Sequence, residues 1–122
     1  AQQAALFAAL VPLRQATKAE SQTSDVSELR SVAVFLAEVI DACVMEVYFS
    51  DHMAEHRLGI MAHVTPLLQD FDAAAPPAQQ VATAQQFYAQ ANDSKHPIRN
   101  ILIRIPVDSP DLLAVIQREG AV

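Results

Sequence analysis

Glycine is almost missing from this chain: only Gly59 and Gly120 occur in 122 residues. Seven prolines accompany them, among many Ala, Gln and Leu, a balance that favours helices punctuated by proline over a sheet. Cys43 is the single cysteine, so no internal disulfide can form, and a reducing cytoplasm is the expected setting. No apolar run approaches the ~18–20 residues that a membrane-spanning helix requires. Residues 1–13 lack the basic start of a secretory signal. The chain opens without a methionine, on Ala1-Gln2-Gln3 inside an apolar helical pattern, which suggests a piece of a longer protein. Bases are scarce as well, eight Lys and Arg against fourteen Asp and Glu, for a net charge of −6. Duplex DNA is bound mainly through cations that neutralise phosphates, so an independent DNA-binding module is disfavoured. The imbalance is uneven. Residues 20–72 carry ten acids and two bases, whereas residues 94–105 carry Lys95, Arg99 and Arg104 and no acid. Any contact with nucleic acid is therefore expected from those three side chains.

What is present reads as helix throughout. Residues 2–19 show an apolar stripe of Leu6, Phe7, Leu10, Val11 and Leu13, with Pro12 expected to kink it or mark a second start. Residues 20–24 form a polar break. Asp25-Val26-Ser27-Glu28 has the form of a capping box. From 25 to 48, Leu29, Val32, Leu36, Ile40, Cys43 and Val47 recur at alternating steps of three and four, with Phe35, Val39, Val44 and Tyr48 widening the stripe. So wide an apolar face needs neighbours on more than one side, which makes this the expected central helix. Shorter helices are expected at 51–57, ending near Gly59, and at 60–71, with a restart at Thr65-Pro66. Residues 73–77 read as a linker. Helices follow at 78–92, with Val81, Ala84, Phe87, Tyr88 and Ala91 on one face, and from Pro97 to Ile105, where Pro106 should end the helix. Ser109-Pro110-Asp111 starts the last one, and Gly120 is its natural stop. The expected fold is all-α, a compact bundle of about five to six helices around a long central one. It forms a single domain over 1–122: an acidic half (1–72), the linker (73–77) and the C-terminal helices (78–122).

Few constellations carry chemistry. His52-Met53-Ala54-Glu55-His56 has the form H-x-x-E-H, which on a helix puts both histidines on one face, able to bind zinc with the glutamate as base. A zinc-dependent hydrolase is the reading it would support. Such a site needs a third protein ligand, and Asp70 or Asp72 could supply one only by coincidence of folding. A short motif matched by chance on a polar, solvent-facing helix is the simpler account, so no metal is expected. Glu38 and Asp41, with Glu46 beyond, could pair for acid–base work, but they also describe the exposed side of the central helix. Cys43 lies on an apolar face as an inert thiol. His63 reads as a packed or partly exposed helix residue. No catalytic residue is assigned. Lys95, His96, Arg99 and Arg104 form the basic cluster, able to touch phosphates or to face a partner or solvent. A free-standing helical protein-interaction domain fits these features as well.

Two stretches resemble a known family. Ile40-Asp41-Ala42-Cys43-Val44-Met45-Glu46-Val47-Tyr48-Phe49 resembles a pattern near the C-terminal end of adenine-specific DNA methyltransferases of restriction–modification systems. There a long helix closes with Ile-Asp, an apolar pair, then Glu-Leu-Tyr and often Phe. In longer members an acidic, His-containing turn and a Gly-Leu/Ile stretch follow, as in Ser50 to Ile60 here. Asn92-Asp93-Ser94-Lys95-His96-Pro97-Ile98-Arg99 resembles the family's Leu-Asn-Asp-Pro-x-His-Pro-Ile-Arg, with Ala91 in place of the leucine and Ser94 in place of the proline. Family catalysis uses an S-adenosylmethionine fold and an Asn-Pro-Pro-aromatic motif. Neither stands in this sequence, so no catalytic residue carries over and no cofactor is expected in this segment. The resemblance implies a helical region beside the target-recognition part of a parent that uses S-adenosylmethionine. Its partners would be other domains of that parent, and DNA through them.

Overall fold

A computed structural model describes residues 2–23, 27–69 and 71–120. Among them lie seven α-helices, one 3-10 turn and no strand. The all-α expectation therefore holds, and no described helix is long and apolar enough to cross a membrane. In chain order the helices are α1 (Gln2–Thr23), α2 (Ser27–Tyr48), α3 (Ser50–Glu55), α4 (Met61–Val64), α5 (Pro77–Ala91), α6 (Pro97–Asp108) and α7 (Pro110–Gly120). The 3-10 turn, Thr65–Leu68, continues directly from α4.

Two helices run on past their expected stops or breaks. α1 passes through Pro12 and through the polar residues expected to break it. The Ser21 hydroxyl in that break donates to the Lys18 carbonyl (2.7 Å), as the Thr17 hydroxyl does to Leu13 one turn earlier (2.7 Å), so these polar residues satisfy themselves on the helix. α6 continues through Pro106 to Asp108. Proline removes one donor near the end of the helix, but the final turn is still closed by the Ser109 amide on the Ile105 carbonyl (2.8 Å). Thr65 does not cap forward: its hydroxyl donates back to the Met61 carbonyl (2.9 Å), and the chain tightens into the 3-10 turn. The expected capping box falls at Asp25 and Val26, outside the described residues.

α2 packs against α1, α3, α5, α6 and α7. Its buried face comprises Leu29, Val32, Phe35, Leu36, Val39, Ala42, Cys43 and Met45. Leu6, Leu10 and Leu13 of α1 and Ala84, Phe87 and Ala91 of α5 join the same core. Phe35 meets Phe87 at 6.1 Å and Tyr88 edge-on at 5.2 Å, which joins α2 to α5 through aromatic contacts. The stripe drifts at its C-terminal end. Ile40 and Val44 are only partly covered, while Val47 and Tyr48 are 39 % and 73 % exposed. Met45 and the residues that follow α3, Leu58 and Ile60, fill that end of the core instead.

Candidate functional site

α3 ends in a way its sequence does not announce. The left-handed residue is Arg57 (φ 58°), and neither glycine has positive φ, so Gly59 is not the stop. The Leu58 amide donates to the Met53 carbonyl (2.7 Å) and the Arg57 amide to Ala54 (3.2 Å). These two bonds form a Schellman closure, fastened by Met53 and Leu58, which are both fully buried. The closure fixes His52 and His56 one turn apart, with their rings stacked at 4.1 Å and 24°.

The end of α6 meets this pair. His56 Nδ1 lies 3.0 Å from Asp108 Oδ1. The Ser109 hydroxyl donates to the same oxygen (3.0 Å) and lies 2.7 Å from His52 Nε2. A hydroxyl has one proton; with it directed at Asp108, His52 Nε2–H is the donor to Ser109. The Ser109 bond holds the Asp108 carboxyl below the usual carboxylate range. Burial opposes it as the next largest effect, and the bond from His56 and the charge of both histidines add lesser pulls in the lowering direction. One ring nitrogen from each histidine and a carboxylate oxygen of Asp108 lie within 4.8 Å of one another. The H-x-x-E-H motif thus acquires a third donor from 52 residues downstream. Asp72 accepts the Ala74 amide within its own turn (2.9 Å), and Asp70 is outside the described residues. Glu55 is exposed and stands apart from the three.

This geometry is not a serine triad. In a triad, one histidine bridges the acid and the nucleophile. Here Asp108 binds Ser109 directly and a different histidine, and Ser109 is only 5 % exposed.

The three bases expected to touch nucleic acid go separate ways. Arg104 reaches back to α3, donating to the His56 carbonyl (2.9 Å) and the Arg57 carbonyl (3.3 Å). A cation there also complements the negative end of the helix. Arg99 donates to the Asn92 carbonyl (3.2 Å). His96 caps α6, its Nδ1 accepting from the Ile98 amide (3.1 Å). Lys95 is exposed, on a turn that its own amide closes on Asp93 (2.9 Å).

The acids of α2 also separate. Glu46 is turned inward and accepts the amides of Ile60 and Met61 through Oε1, so it caps α4. Glu38 and Asp41 remain at the surface between α1 and α7. Burial, then the neighbouring Asp41, pushes the Glu38 carboxyl up. Burial raises that of Asp41, against the opposing pull of Arg14. They line an open groove of about 600 Å³ with Arg14, Lys18, Arg30 and Gln117. They also line a smaller one of about 250 Å³ against Leu102, Pro106 and Leu113. A third groove, about 380 Å³, lies beside Phe35 and Tyr88. None of the three touches His52, His56 or Asp108. The Cys43 thiol is pushed up to about 12 by burial and then by Glu46, as befits an inert core thiol. His63 is exposed on α4.

Asp108 and Ser109 are the site residues that sequence reasoning missed. The only local signal was Asp-Ser-Pro-Asp, which reads as a helix start and nothing more. No family model, curated protein or solved structure matches the chain.

Proposed function

We propose that this chain is a non-catalytic helical scaffold, a compact bundle built about α2. In this reading it holds neighbouring domains in place within an adenine-specific DNA methyltransferase of a restriction–modification system. One observation carries the scaffold reading: the polar side chains join one helix end to another. Glu46 ties α2 to the start of α4. Arg104 ties α6 to the end of α3. Ser109 and Asp108 tie the α6–α7 corner to His52 of α3 and to His56 at its end. Side chains placed this way rigidify a module and leave few cations for a phosphate backbone. The resemblance of residues 40–60 and 88–99 supports the parent, which would supply the S-adenosylmethionine site and the DNA contacts.

Salt titrations of DNA binding test the first half. The isolated chain should show no saturable binding to duplex DNA near 0.15 M salt, a concentration at which a few phosphate contacts contribute little (~0.15 M taken as physiological). In the longer protein, Lys95→Ala should leave the salt dependence unchanged. A slope flattened by about one unit would show that Lys95 holds a phosphate. Saturable binding by the chain alone would overturn the scaffold reading. The second half is tested separately, by transfer of a methyl group from S-adenosylmethionine to adenine in duplex DNA by the longer protein. Its absence would remove the family assignment and leave the scaffold standing.

A further inference from the structure

We propose that His52, His56 and Asp108 bind a divalent transition-metal ion, zinc being the best match, which clips α3 to the α6–α7 corner. The donor set comes first. Two imidazoles and a carboxylate suit zinc and its first-row neighbours, whereas magnesium and calcium prefer oxygen alone. The spacing comes next. Tetrahedral zinc with bonds of about 2.0–2.1 Å holds its donors roughly 3.3 Å apart. The His56–Asp108 pair is already at 3.0 Å, and all three donors lie within 4.8 Å, so side-chain rotation closes the remainder.

The surroundings fit a ligand site as well. Metal-binding side chains are usually oriented by outer hydrogen bonds. Ser109 bonds both His52 and Asp108, and Arg104 holds the His56 backbone. The side chains of His56 and Asp108 are 38 % and 29 % exposed, so an ion can enter and water can complete its coordination. The ion takes the place that a hydrogen otherwise holds between His56 Nδ1 and Asp108 Oδ1. Uptake therefore competes with protons and weakens as pH falls. Glu55, the residue that would serve as base in a hydrolase, stands outside the donor group, so the proposed role of the ion is a clip. By joining residues 56 and 108, the ion adds a cross-link absent from the unfolded chain.

The test uses the tag-free chain, stripped with a chelator and titrated with Zn²⁺ by calorimetry and with Co²⁺ by visible absorption. One ion should bind per chain. At a hundredfold excess over Kd the melting temperature should rise by roughly 10 °C. His56→Ala and Asp108→Asn should each abolish both responses, while His63→Ala, at an exposed position of α4, should keep them. Asp108→Asn keeps the shape of the side chain and carries the test if His56→Ala does not fold. No uptake at about 0.1 mM zinc would overturn the proposal. So would uptake that survives Asp108→Asn, or an equal response to Mg²⁺.

Discussion

Two regions of this molecule are held together by opposite means. Where α1, α2 and α5 meet, the contacts are hydrocarbon: Leu10, Leu13, Val32, Leu36 and Phe87 are almost wholly buried. Where α3 meets the α6–α7 corner, Met53 and Leu58 close the turn beneath, but His52, His56, Arg104, Asp108 and Ser109 make the junction. Burial of apolar surface is non-directional and grows with area. Hydrogen bonds to charged groups are directional and individually modest once exchange with water is counted. The first region should therefore set the stability of the chain. The second should set the orientation of one short helix, and it should respond to pH and to ions.

Removing Leu36 should give the largest effect. It is fully buried at the α1–α2–α5 junction, so Leu36→Ala should cost roughly 2–5 kcal/mol, transfer and cavity together. Ile40, on the same helix, is only partly buried, and Ile40→Ala should cost less, about 1–2 kcal/mol. Urea unfolding measures both, and an unchanged midpoint for Leu36→Ala would dissolve the contrast between the regions.

Glu46 sits between the two extremes, a polar group buried in part. Glu46→Ala leaves the amides of Ile60 and Met61 without their acceptor and should cost roughly 1–3 kcal/mol. Hydrogen exchange at these two amides should quicken by more than the global loss of stability explains. Exchange that follows global stability alone would mean that water replaces the carboxylate.

Arg104 belongs to the polar corner proper, and its bonds are exposed. Arg104→Ala should cost only about 0.5–1 kcal/mol. It should loosen His56 and weaken zinc uptake without abolishing it. A loss as large as that of Leu36→Ala would show that the corner bears on the stability of the whole chain.

The two regions were also unequally legible in the sequence. A helix buries one face, so Leu29, Val32, Leu36 and Cys43 reveal themselves by spacing alone. The stripe weakens at Ile40 and Val44 and misleads most at Val47 and Tyr48, where Met45 faces the core and the residues after α3 supply Leu58 and Ile60. Pro12 and Pro106 look like breaks in sequence but stand inside helices. Each costs one backbone bond, and packing on Leu10, Leu13 and Ile105 offsets that. The polar corner has no period to read. His56 and Asp108 are brought together by the fold, and nothing in H-x-x-E-H says where a third donor lies. The same blindness affects the bases: Arg99 and Arg104 look free in sequence because their acceptors are backbone carbonyls, which every residue carries.

The smallest expected effects come from charge, and they run in opposite directions in the two regions. Folding raises the carboxyls of Glu38 and Asp41 above their ordinary values of 4.5 and 3.8, chiefly through burial. A raised acid favours the folded state fully below its ordinary value, and that contribution is lost as pH rises through the folded value. At neutral pH both acids are ionised at a cost. Glu38→Gln should therefore stabilise the chain slightly at pH 7, and the gain should vanish in acid. Glu38 is exposed and Asp41 only partly covered, so screening keeps the gain within about 1 kcal/mol. Asp108 is the reverse case. Its carboxyl is lowered, so its contribution is present above 3.8 and is lost as pH falls through the folded value. Asp108→Asn should destabilise at pH 7, and that loss too should fade in acid. Urea midpoints for the two variants, measured from pH 3 to 7 without metal, should converge on the parent chain from opposite sides (~3–7 spans the carboxylate range). If Glu38→Gln lowers the midpoint at pH 7, Glu38 is held by a favourable partner, and the groove between α1 and α7 is a polar junction like the corner of α3.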